Sequence, residues 1–131
     1  MDILIESTEK FEQDLDRLDH GEKTVAIEKI NECADLFPTQ KAYVYRKLRR
    51  LPLLTGLNGY ESSLYTLKIS QKLRAILTVD EDPIFNQAIF TLFRVIKHED
   101  LDQAYQSTAE SLYQEIDHHS QAQSQVAAPA L

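Results

Sequence analysis

The chain has a single cysteine, Cys33, among 131 residues, so no internal disulfide can form. That thiol falls on the apolar stripe of an expected helix, which makes it a buried structural group rather than a nucleophile. Long hydrophobic runs are missing too. The longest, residues 75–77 and residues 89–93 broken by Thr91, fall far short of the roughly 20 residues a membrane-spanning helix needs. Met1 is followed by Asp2 and Glu6 with no basic segment before an apolar core, so no secretory signal is expected. There is no internal repeat, glycine-rich phosphate loop, Gly-x-Ser-x-Gly elbow or Cys/His set at metal-ligand spacing. His118 and His119 are adjacent but have no carboxylates at usable spacing, so neither metal nor cofactor is expected. These absences leave a soluble, cytoplasmic, single-domain protein, long enough to bury about two-thirds of its unfolded surface.

Basic residues are in the minority: 14 Lys/Arg stand against 21 Asp/Glu, for a net charge of −7. That balance by itself opposes binding to a polyanion. Its distribution is uneven. Residues 41–97 hold ten Lys/Arg against four acids, a local +6, which leaves −13 for the rest. Such polarity can focus an attractive field on one patch of a protein that is acidic as a whole.

The pattern along the chain alternates helix and strand. Ile3-Leu4-Ile5 is a short β-prone run, after which Ser7 or Thr8 can cap a helix with Glu9 in its first turn. Phe11, Leu15 and Leu18 recur at i, i+4 and i+7 and form its buried stripe, with Glu12, Asp14, Asp16 and Arg17 toward water and Gly21 at its end. A second helix from about 22 to 36 carries Ile27, Ile30, Ala34 and Phe37 on one face and is closed by Pro38. Val44, Leu48 and Leu51 allow a short helix before Pro52, and Leu57-Asn58-Gly59 reads as a turn.

Three strands are expected next, over 63–69, 73–79 and 88–96, joined by Ser70-Gln71-Lys72 and by Asp80-Glu81-Asp82-Pro83. In the first, Tyr65, Leu67 and Ile69 share one face and Thr66 and Lys68 the other. The third is apolar on both faces apart from Thr91 and Arg94, so it belongs inside the sheet under the helices. Leu101, Ala104 or Tyr105, Ala109, Leu112 and Ile116 then mark a final helix, and residues 118–131 have no periodic stripe and read as a disordered tail. The expected fold class is α+β. A short N-terminal strand and an α-hairpin pack on a small antiparallel sheet, a three-stranded meander, followed by a C-terminal helix. The domain covers 1–117.

Several strings in this order resemble the RelE/ParE superfamily of toxins from type II toxin–antitoxin modules. They are Phe11-x3-Leu15-x2-Leu18, Leu57-Asn58-Gly59, Leu64-Tyr65-Thr66-Leu67-Lys68-Ile69 through Leu73-Arg74-Ala75-Ile76-Leu77, and Val95-Ile96-Lys97-His98-Glu99-Asp100 leading to Tyr105. The resemblance spans roughly residues 1–116. It implies a RelE-like fold, a cognate antitoxin that neutralises the protein in a toxin–antitoxin hetero-oligomer, no membrane partner, and one of two activities. A RelE-like member is an endoribonuclease (an mRNA interferase) that cuts mRNA on the ribosome and arrests growth, without metal, by attack of a ribose 2′-hydroxyl on the neighbouring phosphate. A ParE-like member inhibits DNA gyrase, and a degenerate member only binds a partner.

Carried over by position, the resemblance implies that Lys68 and Arg74 stabilise phosphate, that His98 transfers a proton, and that Tyr105 stacks a base or assists the acid step. Imidazoles titrate near neutrality, which suits His98 to that task. Thr66 stands where the prototypical RelE member has a basic residue. The remaining cations expected on RNA are Lys72, Arg94 and Lys97 near the strand ends and the dense run Arg46, Lys47, Arg49 and Arg50, which otherwise forms a solvated helix face or an antitoxin-docking surface.

Overall fold

The computed structural model describes residues 1–52 and 63–112. Its strands are β1 (Asp2–Ser7), β2 (Leu48–Arg49), β3 (Leu64–Lys68), β4 (Leu73–Asp82) and β5 (Gln87–Lys97). They form one sheet in the order β1-β5-β4-β3-β2. Three helices are α1 (Glu9–Arg17), α2 (His20–Leu36) and α3 (Lys41–Lys47). A fourth, α4, covers residues 101–112 and is entered through a 3-10 turn at His98–Asp100. β1 runs parallel to β5, whereas β2 to β5 pair antiparallel with their neighbours. The architecture is mixed α+β.

Both faces of the sheet are covered. On one, α1, α2 and α3 set Phe11, Ile30, Phe37 and Val44 against Leu73, Ala75, Leu77 and Phe90. On the other, Leu101, Ala104, Tyr105 and Ala109 of α4 pack on Leu64 and Ile76. The two-residue period of β4 thus feeds both cores, which is why the strand reads as an almost unbroken apolar run. Cys33 is buried in the first core, and burial pushes its thiol pKa up.

Several local expectations are corrected. Thr8 caps α1, its hydroxyl accepting from Phe11 N–H at 3.2 Å, and α1 ends at Arg17 rather than at Gly21. Asp19 and Glu22 form a reciprocal capping box (2.8 and 3.2 Å), so α2 starts at His20 and Gly21 lies in its first turn. Ile27, expected on the buried stripe of α2, is 43% exposed; Ala26, Ile30, Cys33 and Ala34 form that stripe instead. Thr66, expected opposite the buried face of its strand, is itself buried because β3 is covered from both sides. The helix expected to reach Leu51 stops at Lys47, where the chain becomes extended as β2.

Asp80-Glu81-Asp82 is not a turn but the end of β4. The connection is residues 83–86, with Asn86 at φ 50, a left-handed conformation that asparagine tolerates. Lys41 and the Tyr45 hydroxyl (2.9 Å) both hold Glu81, and chiefly the Lys41 ammonium keeps its carboxyl below the usual range. A lowered folded-state pKa means this contact stabilises above the ordinary value of 4.5 and is lost as pH falls through the depressed one. Lys41→Met is expected to remove no more than about 1 kcal/mol at neutral pH. It should also narrow the Tm difference between neutral pH and about pH 3 relative to the wild type. The Leu57-Asn58-Gly59 turn, Ile116 and the 118–131 tail lie outside the described residues.

The largest correction concerns Asp14. β1 stops pairing at Ser7↔Leu92, but β5 continues to Lys97, leaving a stretch of open edge. The start of α1 closes it. Thr8 donates from its N–H to Leu92 O (3.0 Å) and from its hydroxyl to Leu92 O (3.1 Å) and Phe93 O (3.2 Å). Six residues on, Asp14 accepts from Val95 N–H at 3.2 Å. Leu92 and Val95, three residues apart, share one core because the β4–β5 register shifts at Ile76/Leu77. That irregularity sends Arg94 to α1 rather than to solvent. Its Nε and Nη2 form a fork on the Asp14 carboxylate (2.6 and 3.1 Å), with Asp14 only 5% exposed. The expected solvent-facing aspartate is therefore an interior anchor.

Candidate nucleic-acid interface

Lys68 and Arg74 stand directly opposite one another beside the β3–β4 turn. Like charges at opposed cross-strand positions destabilise a sheet by roughly 0.2–1 kcal/mol. Arg74 is compensated: its Nη1 donates to the carbonyls of Ser70 and Leu73, the latter at 2.9 Å. Lys68 is exposed and has no carboxylate partner among the described residues.

The break at Leu48 brings in the second set of cations. Arg46 and Lys47 leave from the last turn of α3, while Arg49 leaves from β2. Pairing of Leu48 and Arg49 with Leu67 and Thr66 lays this segment along β3. The Thr66 hydroxyl reinforces it by donating to Arg49 O at 3.3 Å. Thr66 supplies no charge; it positions a residue that does.

These cations converge on one groove of about 670 Å³. Arg46, Lys47, Arg49, Lys68, Arg74 and His98 line it, together with Lys29 of α2, over an apolar floor of Leu51, Leu67, Ile69 and Leu101. No carboxylate is among its lining residues, taken over the described residues. Lys29 lies 4.0 Å from Glu32, and Lys47 stacks over the Tyr43 ring at 5.0 Å. Sequence reasoning missed Lys29; its only signal is its place beside Ile30, at the margin of the buried face of α2.

His98 ends β5. Its N–H donates to Lys72 O at 2.7 Å, which ties it to the β3–β4 turn, two residues before Arg74 of β4. It lines this groove and also a second one of about 710 Å³. There Lys72, Lys97 and Arg17 are interleaved with Asp19, Glu22 and Glu99. Of the expected site residues, the structure thus gathers Lys68, Arg74, His98, Arg46, Lys47 and Arg49. Lys72 and Lys97 sit on the far side of His98 among acids.

Three others go elsewhere. Arg94 is held by Asp14, which stabilises its charged form and neutralises it as a phosphate ligand. Arg50 donates to the Tyr65 hydroxyl at 3.0 Å and lies over that ring. Tyr105, which the resemblance put at the reacting centre and its helical spacing put in the core, is 1% exposed and donates its hydroxyl to Leu64 O at 2.8 Å. It cannot reach a substrate in the groove.

No group of His, Cys, Asp and Glu that could hold a metal ion is found among the described residues, and among them no helix is long and apolar enough to cross a membrane. The chemistry on offer is a group of cations, of which Arg74 is held by backbone carbonyls, with one imidazole beside them, suited to a phosphodiester backbone. Compared with protein-family models and with curated proteins, the chain matches none.

Proposed function

We propose that this protein is the toxin of a RelE/ParE-type toxin–antitoxin pair, neutralised by a cognate antitoxin, and that its basic groove takes mRNA on the ribosome and cleaves it. The observation that carries this reading is the convergence of six Lys/Arg side chains and His98 on one groove with no carboxylate among its described lining residues, in a protein of net charge −7. In the reaction, the ribose 2′-oxygen bonds to phosphorus and the P–O5′ bond breaks, leaving a 2′,3′-cyclic phosphate and a 5′-hydroxyl. Lys68 and Arg74 offset the charge that builds on the phosphorane. His98, the only imidazole lining the groove among the described residues, carries the proton transfer.

Induced expression should arrest growth and yield cut transcripts. His98→Ala is expected to slow cleavage about 10²–10⁴-fold, and Lys68→Ala about 10²–10³-fold, measured as primer-extension signal on purified ribosomes. Burial of Tyr105 leaves the groove one proton-transfer group short, which favours a second reading in which it binds without cutting, as a ParE-like gyrase inhibitor. Growth arrest with intact transcripts and a DNA-damage response would select that reading. No growth defect would overturn both.

A further inference from the structure

The β4–β5 turn presents two large apolar side chains to water: Ile84 is 84% exposed and Phe85 73%. Elsewhere the large hydrophobics in this chain stay below half exposed among the described residues. The turn is fixed rather than loose. The Asp82 carboxylate accepts from Ile84 N–H (3.0 Å) and Phe85 N–H (3.3 Å), and Asn86 O accepts from Asp2 N–H (3.1 Å). Pro83 and the left-handed Asn86 set the rest of its backbone. A preorganised apolar tip loses little entropy on docking, which is the property of an anchor. It also carries negative charge, from Asp80 and Asp82, while Glu81 is balanced by Lys41.

We propose that this tip docks into the basic groove of a second copy of the chain. The two surfaces are complementary in kind: Ile84 and Phe85 meet the apolar part of the lining, chiefly the half-buried Leu51 beside the nearly buried Leu67, Ile69 and Leu101, while Asp80 and Asp82 meet the cationic rim. The groove volume of about 670 Å³ lies in the range of clefts that accept drug-sized ligands, roughly 300–1,000 Å³, so it has room for two side chains. Docking within one molecule is impossible. The tip sits at one end of the β4–β5 ladder, and Arg74 and His98 sit at the other. The contact is therefore head-to-tail, each copy giving a tip and receiving one, and it extends or closes into a ring. Occupancy covers the groove whether or not the groove takes RNA.

The test uses sedimentation of the purified full chain over a concentration series. Weight-average mass should rise with concentration and fall back as salt screens the rim. An Ile84→Ser/Phe85→Ser variant keeps the groove, and an Arg46→Glu/Lys68→Glu variant keeps the tip; all four positions are exposed, so folding is preserved. Each variant alone should remain monomeric. Their equimolar mixture should form a dimer that grows no further, because each contributes one usable half. A wild type that stays monomeric throughout, a tip variant that associates like the wild type, or a mixture that stays monomeric would each overturn the proposal.

Discussion

Replacing Asp14 by alanine is expected to destabilise the protein by about 3 kcal/mol, a large share of the roughly 5–15 kcal/mol that holds a domain folded. The change strands the Arg94 guanidinium, whose side chain is 24% exposed, and leaves Val95 N–H without its acceptor in the interior. Removing one member of a buried pair costs more than the pair contributes, because the survivor keeps its desolvation penalty. Full burial of both partners would place the loss nearer 5 kcal/mol; the partial exposure of Arg94 moderates it. Urea unfolding should show a lower midpoint with an unchanged slope. The double variant Asp14→Ala/Arg94→Met should recover part of the loss, since no lone charge remains. A single-variant loss under about 0.5 kcal/mol, the level of an ordinary surface substitution, would show that the fork on β5 is not structural.

Tyr105→Ala is expected to cost about 4 kcal/mol, in the range for an aromatic ring removed from a well-packed core. The ring packs in one cluster with Leu64, Ile76, Leu101 and Ala109. Tyr105→Phe separates packing from polarity. It keeps the ring and leaves Leu64 O unsatisfied, for about 1–2 kcal/mol. Because the hydroxyl does not face the groove, the phenylalanine variant should retain full growth arrest wherever the wild type shows it. Loss of arrest with an unchanged Tm would instead assign Tyr105 a part in the chemistry.

The order of helices and strands was legible because hydrophobic periodicity reports which side of each element is buried. Phe11, Ile30 and Leu77 fell where their spacing put them. The site was legible in its residue types but not in its grouping. Lys68 and Arg74 flank one turn, so sequence distance alone joined them. Arg46, Lys47 and Arg49 joined them only because the chain switches from helix to strand at Leu48, a change decided by pairing with Leu67 rather than by local propensity.

Asp14 carried a signal that charge concealed. It lies three residues after Phe11 and four before Leu18, on the stripe itself, and Arg94 is the one cation inside an otherwise apolar run. Two misplaced charges of opposite sign on buried faces are partners more often than two exceptions. Asp19 and Glu22 likewise spelled a capping box, and the intervening Gly21 drew attention away from it.

Parallel pairing of β1 with β5 has a consequence for synthesis. The two are separated by about 85 residues in sequence. At roughly 5–20 residues per second, Ile3-Leu4-Ile5 leaves the ribosome on the order of 4–17 s before the strand it must join. During that interval an extended apolar segment has no β5 to pair with, and α1 has no Val95 or Arg94 for Asp14 to hold. β1 is thus among the last elements to settle, and its waiting time sets the period in which a nascent copy is most open to chaperones, proteases and other chains.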